Sequence, residues 1–370
     1  AGTEKGMYVS WNGGQNWESF QLNLPKTPIL DLMVHQGDLI VATSGRSFWI
    51  LDDLGLLKAY SKPQKAAKLY QPEPAYNGFW GSALNGNSPS FKGSQPFTGV
   101  NPANGMVLYY ELPKLDSAEI SMEIYDAKGK LINSFSSKKD ASYKRYDGGP
   151  PPAPKLDKKE GLNRFVWNMG HAIMPGVKDT YIEANYRGHR AIPGNYTIKL
   201  KVGDNMLETT GEIKEIPTYN VTSSQYEAFD TFMTETEGNL TEMHNMVNML
   251  FKAKNQLKEV LKKVTNESLK KEGKDLIAEL DAWDKEMIQR KSKAYDDVEN
   301  FPNKFTAEYM FLINASDSSI PRINQSSIDR RMELDQQWVG LKQRGKAFEN
   351  VKIPALNKKL WEAGVGAVQL

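Results

Sequence analysis

Apolar residues in the first sixty positions come in short, interrupted runs. "GMYVSW", "NWESFQL", "ILDLMVH" and "DLIVATSGRSFWILDD" are rich in β-branched and aromatic residues, and Gly13-Gly14, Pro25 through Pro28 and Gln36-Gly37-Asp38 punctuate them. The pattern predicts strands joined by tight turns. Four such runs in about fifty residues match one blade of a β-propeller, a unit that repeats every ~40–50 residues. A lone blade cannot bury both faces and must pack against neighbours. No second copy of the pattern follows downstream, so the neighbouring blades are expected before Ala1.

Alternation of polar and apolar positions returns over residues 106–217, in "MVLYYEL", "EISMEIYDAKGKLINSF", "GLNRFVWNM" and "PGNYTIKLKVGDNMLETTGEIKEI". Half-buried strands have this period. Asp126 to Gly129 and Gly203 to Asn205 have hairpin-turn composition. Seven or so strands with such regular turns predict a small Ig-like β-sandwich, interrupted by a proline-rich solvent loop, "YDGGPPPAPKLDKKEG". Residues 61–105 between the two β regions are rich in Pro, Gly, Ser and Asn. Their aromatics (Tyr70, Tyr76, Phe79, Trp80, Phe91, Phe97) predict an ordered linker lying on a neighbouring surface.

From about residue 223 the period changes to that of a helix. Ser224 followed by Glu227 has the spacing of a capping box. Alternate steps of three and four then run through Tyr226, Phe229, Met233, Thr236, Leu240, Met243, Val247, Leu250, Lys254, Leu257, Leu261 and Val264, and all but Thr236 and Lys254 are apolar. This is a sustained seam. Leu276, Leu280, Trp283 and Met287 predict a second helix. Shorter ones are expected at 303–314, on Phe305, Tyr309 and Leu312, and at 327–349, on Ile328, Met332 and Trp338. Residues 218–370 thus read as an antiparallel helical bundle. The seam pairs either within the chain, which the short connections favour, or with another chain. The fold class expected for the whole is multidomain, β then α.

Composition narrows the function classes. Hydrophobic residues make up 39% and charged residues 25%, and the net charge is +2. That balance carries no nucleic-acid footprint, which needs a clustered basic face. There is no cysteine, which excludes disulfides, thiolate zinc sites and a cysteine nucleophile. No apolar run approaches the ~18 residues of a membrane span, and no signal-peptide pattern opens the chain. Ala1-Gly2-Thr3 leads straight into strand-like sequence, so the chain reads as a mature or truncated piece whose targeting information lay upstream.

The stretch "SWNGGQNWESF" fits S-x-D-x-G-x-x-W, the Asp-box, through Ser10, Asn12, Gly14 and Trp17, with Asn in place of Asp. A short polar side chain at the third position binds turn amides, glycine takes a backbone conformation closed to other residues, and the tryptophan folds back on the hairpin. Asn12 is assigned this structural role, since an amide is neither a general acid nor a general base at neutral pH.

With "GTEKGMYVSWNGGQNWESFQLNLP" and "DLMVHQGDLIVATSGRSFWILDD", the first sixty residues resemble the last blade of the large bacterial sortilin-like (VPS10-type) Asp-box propeller proteins. These are also called BNR-repeat glycosyl hydrolases. "NPANGMVLYYEL", "GLNRFVWNM" and "PGNYTIKLKVGD" are similar to that family's FlgD-like β-sandwich, and "NFPNKF" and "ALNKKLWEAG" to its closing helices. The resemblance implies an exported protein, periplasmic, extracellular or associated with the outer membrane of a Gram-negative bacterium. It implies upstream blades as intramolecular partners and a protein or glycan as ligand. Ser44 departs from the histidine that family members commonly carry before Gly45-Arg46.

Catalysis in related Asp-box propellers needs a carboxylate pair or a tyrosine nucleophile at the propeller centre. The acidic candidates here are Asp31, Asp52 and Asp53. Asp52-Asp53 ends a strand, where a charged pair either terminates pairing or faces a ligand. Arg46 follows Gly45 in a tight turn, within reach of a ligand anion or of a salt-bridge partner. Trp80, Phe79 and Tyr76 either stack on sugar rings or pack the linker down. His35, His171, His189 and His244 lie in different regions with no i,i+4 pair, so neither a metal nor a cofactor is expected. Three functions remain open: a non-catalytic binding or scaffold part of an exported propeller protein, part of a glycoside hydrolase with upstream catalytic residues, and a subunit of an outer-membrane assembly. Asp116-Ser117-Ala118 has the form of a bacterial surface O-glycosylation motif.

Overall fold

The computed structural model describes residues 1–59, 66–82, 99–115, 118–317 and 320–370. Phe91, Phe97, Asp116 and Ser117 lie outside the described residues. The chain forms two units that are not consecutive in sequence. The first comprises Ala1–Lys138, Lys155–Met169 and Pro193–Ile216; the second comprises Lys139–Pro154, Gly170–Ile192 and Pro217–Leu370. The fold is mixed, with several β-sheets followed by a C-terminal helical region.

In the first unit, β1 (Gly2–Thr3), β2 (Gly6–Val9) and β3 (Glu18–Ser19) form one antiparallel sheet. β4 (Ile29–His35), β5 (Asp38–Thr43) and β6 (Phe48–Leu51) form another. Six strands stand where four runs were read, partly because "DLIVATSGRSFWILDD" folds back on itself. Gly45 at φ 74 and Ser47 at φ 63 make the turn, and the Thr43 hydroxyl donates to the Ser47 carbonyl at 2.6 Å. Register places Met33 opposite Ile40, Ile40 opposite Ile50, and Ala42 opposite Phe48, so these residues share one face. The other face packs Val41, Leu32, Leu39 and Trp49 with Met7 and Leu24.

After α1 (Leu54–Ala59), the linker is more than coil. β7 (Lys68–Leu69) pairs with β9 (Met106–Leu112), and β8 (Ala75–Tyr76) pairs with β14 (Asn205–Lys214). With β10 (Ile120–Tyr125), β11 (Leu131–Ser136), β12 (Gly161–Trp167) and β13 (Gly194–Val202), these give a five-stranded sheet in the order β11-β10-β13-β14-β8 and a three-stranded sheet, β12-β9-β7. Ring contacts of Phe135 with Phe165 at 4.7 Å and Trp167 with Tyr196 at 5.5 Å join the two. Both expected hairpins form. Asp126 Oδ1 accepts from the amides of Lys128 and Lys130, and Val202 faces Asn205 across the second turn.

The proline-rich segment is a solvent loop only in part: residues 152–155 and 158–160 are exposed, and residues 155–161 belong to the first unit. Residues 146–154 belong to the second unit, where a Cβ on Gly176 would lie 2.2 Å from the Tyr146 hydroxyl and 2.5 Å from Pro150 Cδ. One aromatic and one proline side chain therefore pack against that backbone.

Helix α2 (Ser223–Leu261) is capped two residues earlier than at Ser224, the cap that the sequence spacing indicates. Thr222 is the N-cap: its side chain accepts from the Gln225 amide, and Gln225 Oε1 accepts from the Thr222 amide. Such a cap is worth about 0.5–2 kcal/mol. All twelve seam positions are buried, Val264 lying just past the helix end. The seam is closed within this chain by α3 (Glu267–Met287), α5 (Phe305–Ser316) and α6 (Gln325–Ala347), beyond the short α4 (Asp297–Asn300). The seam is thus paired within the chain. A π-helical turn, Phe348–Lys352, carries α6 into α7 (Ile353–Glu362).

On α6 the sequence reading put Ile328 and Met332 inside, but both are exposed. The buried stripe is Ser327, Leu334, Trp338, Leu341 and Gly345. Arg331 holds the helix from its flank through Glu235 and Asp335. No helix among the described residues is long and apolar enough to cross a membrane.

Candidate functional site

The Asp-box residues build a turn. Ser10 Oγ accepts from the Gly14 amide at 2.7 Å and donates to Asn12 Oδ1, which accepts from the Asn16 amide at 2.9 Å. Gly13 and Gly14 have φ of 71 and 90, and Trp17 Nε1 donates back to the Gly14 carbonyl at 3.0 Å. The Ser10 hydroxyl, Asn12 Oδ1 and Trp17 Nε1 are all used on the turn itself.

Asp52 and Asp53 follow β6 and come together with Asp38, Arg164 and Tyr109. Burial, followed for Asp52 by the charges of Asp38 and Asp53, pushes the Asp52 carboxyl up. Burial also pushes up Asp53, against a hydrogen bond from Tyr109. The Tyr109 hydroxyl rises to about 12 through burial and the nearby Asp53 charge. Arg164 is the cation acting on the pair; Arg46 lies exposed in its own turn, where its carbonyl accepts from Trp49 Nε1. Trp80 is elsewhere, held by a 2.8 Å bond from Nε1 to the Pro102 carbonyl. Asp31 sits on exposed β4, its carboxylate on the Leu32 amide. The sequence-derived candidates therefore do not converge on one centre.

Asp53 has φ 59, a conformation that asparagine tolerates. Asp53→Asn keeps an acceptor for Tyr109 and removes a charge that burial disfavours. A folded-state pKa raised above the unfolded value means that wild-type stability is lost as pH rises through the raised value. The variant is therefore expected to unfold about 1–2 °C higher near neutral pH and to show no advantage below the carboxylate range. Thermal melts at both ends of that range check this.

The second unit holds a cluster that the sequence reading passed over. His171 and His189 stack with ring centroids 3.8 Å apart and planes at 29°. His189 Nε2 lies 3.2 Å and His171 Nε2 3.6 Å from Asp230 Oδ1 on α2. Glu237, two turns along the same helix, takes the far side of His189. Its Oε2 is 3.0 Å from Nδ1, and its Oε1 accepts from the His189 amide at 2.7 Å. Burial acts to lower the His189 pKa, but the hydrogen bonds and charges of Asp230 and Glu237 raise it to about 9. Asp317 faces the same group; burial pushes its carboxyl up, and His189 and Arg190 pull it down.

Backbone geometry fixes the two rings. The His171 amide donates to the His189 carbonyl at 2.9 Å, and Gly170 bridges Arg190. A Cβ on Gly188 would meet the Ala172 carbonyl oxygen at 2.7 Å and His171 C at 2.8 Å, so only glycine permits this approach. Among the described residues, His171, His189 and Asp230 are the one group of three or more potential ligands with donor atoms all within 4.8 Å. Their donor atoms are of the types a metal ion takes, although no i,i+4 histidine pair is present.

No family model matches the chain, nor does any curated protein or solved structure.

A sequence signal for the cluster does exist. Gly170-His171-Ala172-Ile173-Met174-Pro175-Gly176 and Gly188-His189-Arg190-Ala191-Ile192-Pro193-Gly194 are near-repeats. Two similar Gly-His segments, paired antiparallel through Gly170 and Arg190, bring equivalent imidazoles side by side. A search for i,i+4 pairs cannot detect that arrangement.

Proposed function

We propose that this chain is the C-terminal part of an exported sortilin-like Asp-box propeller protein and that it binds and scaffolds rather than catalyses. On this reading residues 1–60 are a terminal blade, 106–217 an Ig-like or FlgD-like sandwich and 218–370 a helical bundle. The ligand is a protein or glycan at the cell surface. The observation carrying it is the open face of β4, β5 and β6. Met33, Phe48 and Ile50 are 54%, 74% and 63% exposed, although the opposite face already packs on Met7 and Leu24. A sheet apolar on both faces is one built for burial on both, and in a propeller the neighbouring blade covers the second face. The Asp-box turn spends its polar atoms on folding, and Asp52-Asp53 is engaged by Tyr109 and Arg164, which supports a non-catalytic role.

Methionine oxidation tests the covered face. Dilute peroxide oxidises exposed thioethers first, so Met33 is expected to oxidise readily in this chain and to be protected in the product of the full gene. Met206 and Met332, both exposed, serve as the reference in each sample. Equal oxidation of Met33 in the two proteins removes the neighbouring blade. Hydrolysis of aryl glycosides by the chain alone, lost on Asp52→Asn, removes the non-catalytic role.

A further inference from the structure

We propose that His171 Nε2, His189 Nε2 and a carboxylate oxygen of Asp230 form a site for a divalent first-row transition ion, which staples the Gly170–Ile192 segment to α2. Both elements belong to the second unit.

The spacing of donors is the first argument. Ligands held at ~2.0–2.1 Å in a tetrahedron lie about 3.3 Å from one another. The distances of 3.2 and 3.6 Å from the two imidazole nitrogens to Asp230 Oδ1 bracket that edge. His171 is the less enclosed of the two rings, its side chain 10% exposed against 0% for His189. Asp230 reaches solvent and provides the path by which an ion enters.

The surroundings are those a metal-bound histidine uses. A ligating imidazole presents one nitrogen to the metal and donates its other N–H to a carboxylate or carbonyl, which sets the tautomer and raises ligand basicity. Glu237 occupies that position at His189 Nδ1 and locks the same residue's amide with its second oxygen. His189 is thereby left with Nε2 facing Asp230 and His171.

Charge points the same way. Asp230, Glu237 and Asp317 bear on His189 from α2 and from the end of α5, and Arg190 is the neighbouring cation. With His189 neutral, as a metal ligand must be, three carboxylates against one guanidinium leave two negative charges, which one divalent cation neutralises in place of the proton. A donor set of two imidazoles and a carboxylate selects zinc and its first-row neighbours over calcium or magnesium, which take oxygen ligands.

The test uses the whole chain, stripped with chelator and titrated calorimetrically with Zn²⁺ alone. The expected result is one ion per chain with a micromolar or tighter Kd, a higher unfolding midpoint with the ion present, and a tetrahedral-type visible spectrum when Co²⁺ replaces zinc. Glu237→Gln is expected to weaken binding about 10–100-fold, as removal of an outer hydrogen-bond partner does. His171→Ala and Asp230→Asn are expected to lose more than that while keeping the helical circular-dichroism spectrum. His35→Ala, on an exposed strand, is expected to bind normally. Absence of zinc binding overturns the proposal and leaves His189 as a buried imidazolium between two carboxylates. Binding undiminished in both His171→Ala and Asp230→Asn overturns it, as does Ca²⁺ or Mg²⁺ binding as tightly as Zn²⁺.

Discussion

Trp283→Ala is expected to destabilise the helical region by about 3–5 kcal/mol, the range for deleting a buried aromatic side chain. Trp283 is 1% exposed on α3. Its Nε1 donates to the Leu341 carbonyl of α6 at 2.9 Å. A Cβ on Gly345 would lie 3.1 Å from the indole and 2.2 Å from Met246 Sδ of α2, so this ring stands where three helices meet and glycine makes room for it. Removing it leaves a cavity that the rigid helix backbones cannot close. A typical domain has only about 5–15 kcal/mol of stability in all, so the variant is expected to lose about a fifth of it at the least. Urea unfolding followed by far-ultraviolet circular dichroism measures the change, and an unchanged slope attributes it to stability alone. Trp361, 73% exposed on α7, provides the control: Trp361→Ala is expected to fall within about 0.5 kcal/mol of wild type. Equal losses at the two positions would contradict the assigned core.

The long helix was legible because its signal is redundant. Ten of the twelve positions from Tyr226 to Val264 are apolar and mark the same face, so Thr236, Lys254 and the mid-helix Gly238 do not erase it. Lys254 shows how a charge occupies a seam: its stem is buried while its ammonium reaches Asp281, as long charged side chains do. On α6 the signal is mixed. The small residues Ser327 and Gly345 share the inner stripe with Leu334, Trp338 and Leu341, so apolar periodicity places Trp338 correctly but assigns Ile328 and Met332, which face outward, to the same face. The capping box was misplaced by two residues because threonine, serine and glutamine offer overlapping solutions within one turn.

Sites were less legible than elements. The Asp-box turn was readable because all its hydrogen bonds lie within eight consecutive residues. The clustering of Asp52 and Asp53 with Tyr109 and Arg164 depends on how β9 and β12 pair, and local patterns hold no trace of that. The histidine cluster spans residues 171 to 237 and joins two antiparallel-bridged segments to a helix. Its components look ordinary until the register of those segments is known. Trp80 was read as a sugar-stacking or packing residue from composition, and the bond to Pro102 ties it to the end of its own linker.

Acid is expected to weaken the helical region through His244, by about 3 kcal/mol between pH 6.5 and 4. His244 is fully buried on α2. Burial depresses its pKa to about 4, against a 2.7 Å hydrogen bond from Nδ1 to the Pro175 carbonyl. Its Nε2 has no hydrogen-bond partner, so a second proton there would be a buried donor with no acceptor. The nearest aromatic neighbour, Tyr186 at 6.1 Å, keeps its hydroxyl neutral because burial drives that pKa far up. The folded pKa lies below the unfolded value near 6.5, so the contribution is complete above pH 6.5. Below it the unfolded chain takes up a proton that the folded chain refuses, and stability falls until the folded pKa is reached. Carboxylates elsewhere titrate in the same range, so the informative quantity is a difference between two proteins. His244→Asn keeps a donor for Pro175 and cannot titrate. It is expected to be about 1–2 kcal/mol less stable than wild type near pH 8, because a smaller side chain fills the site. At pH 4 that deficit is expected to vanish or reverse. Denaturant unfolding of both proteins across this range measures the two curves, and parallel curves would exclude His244 as the acid-sensitive group.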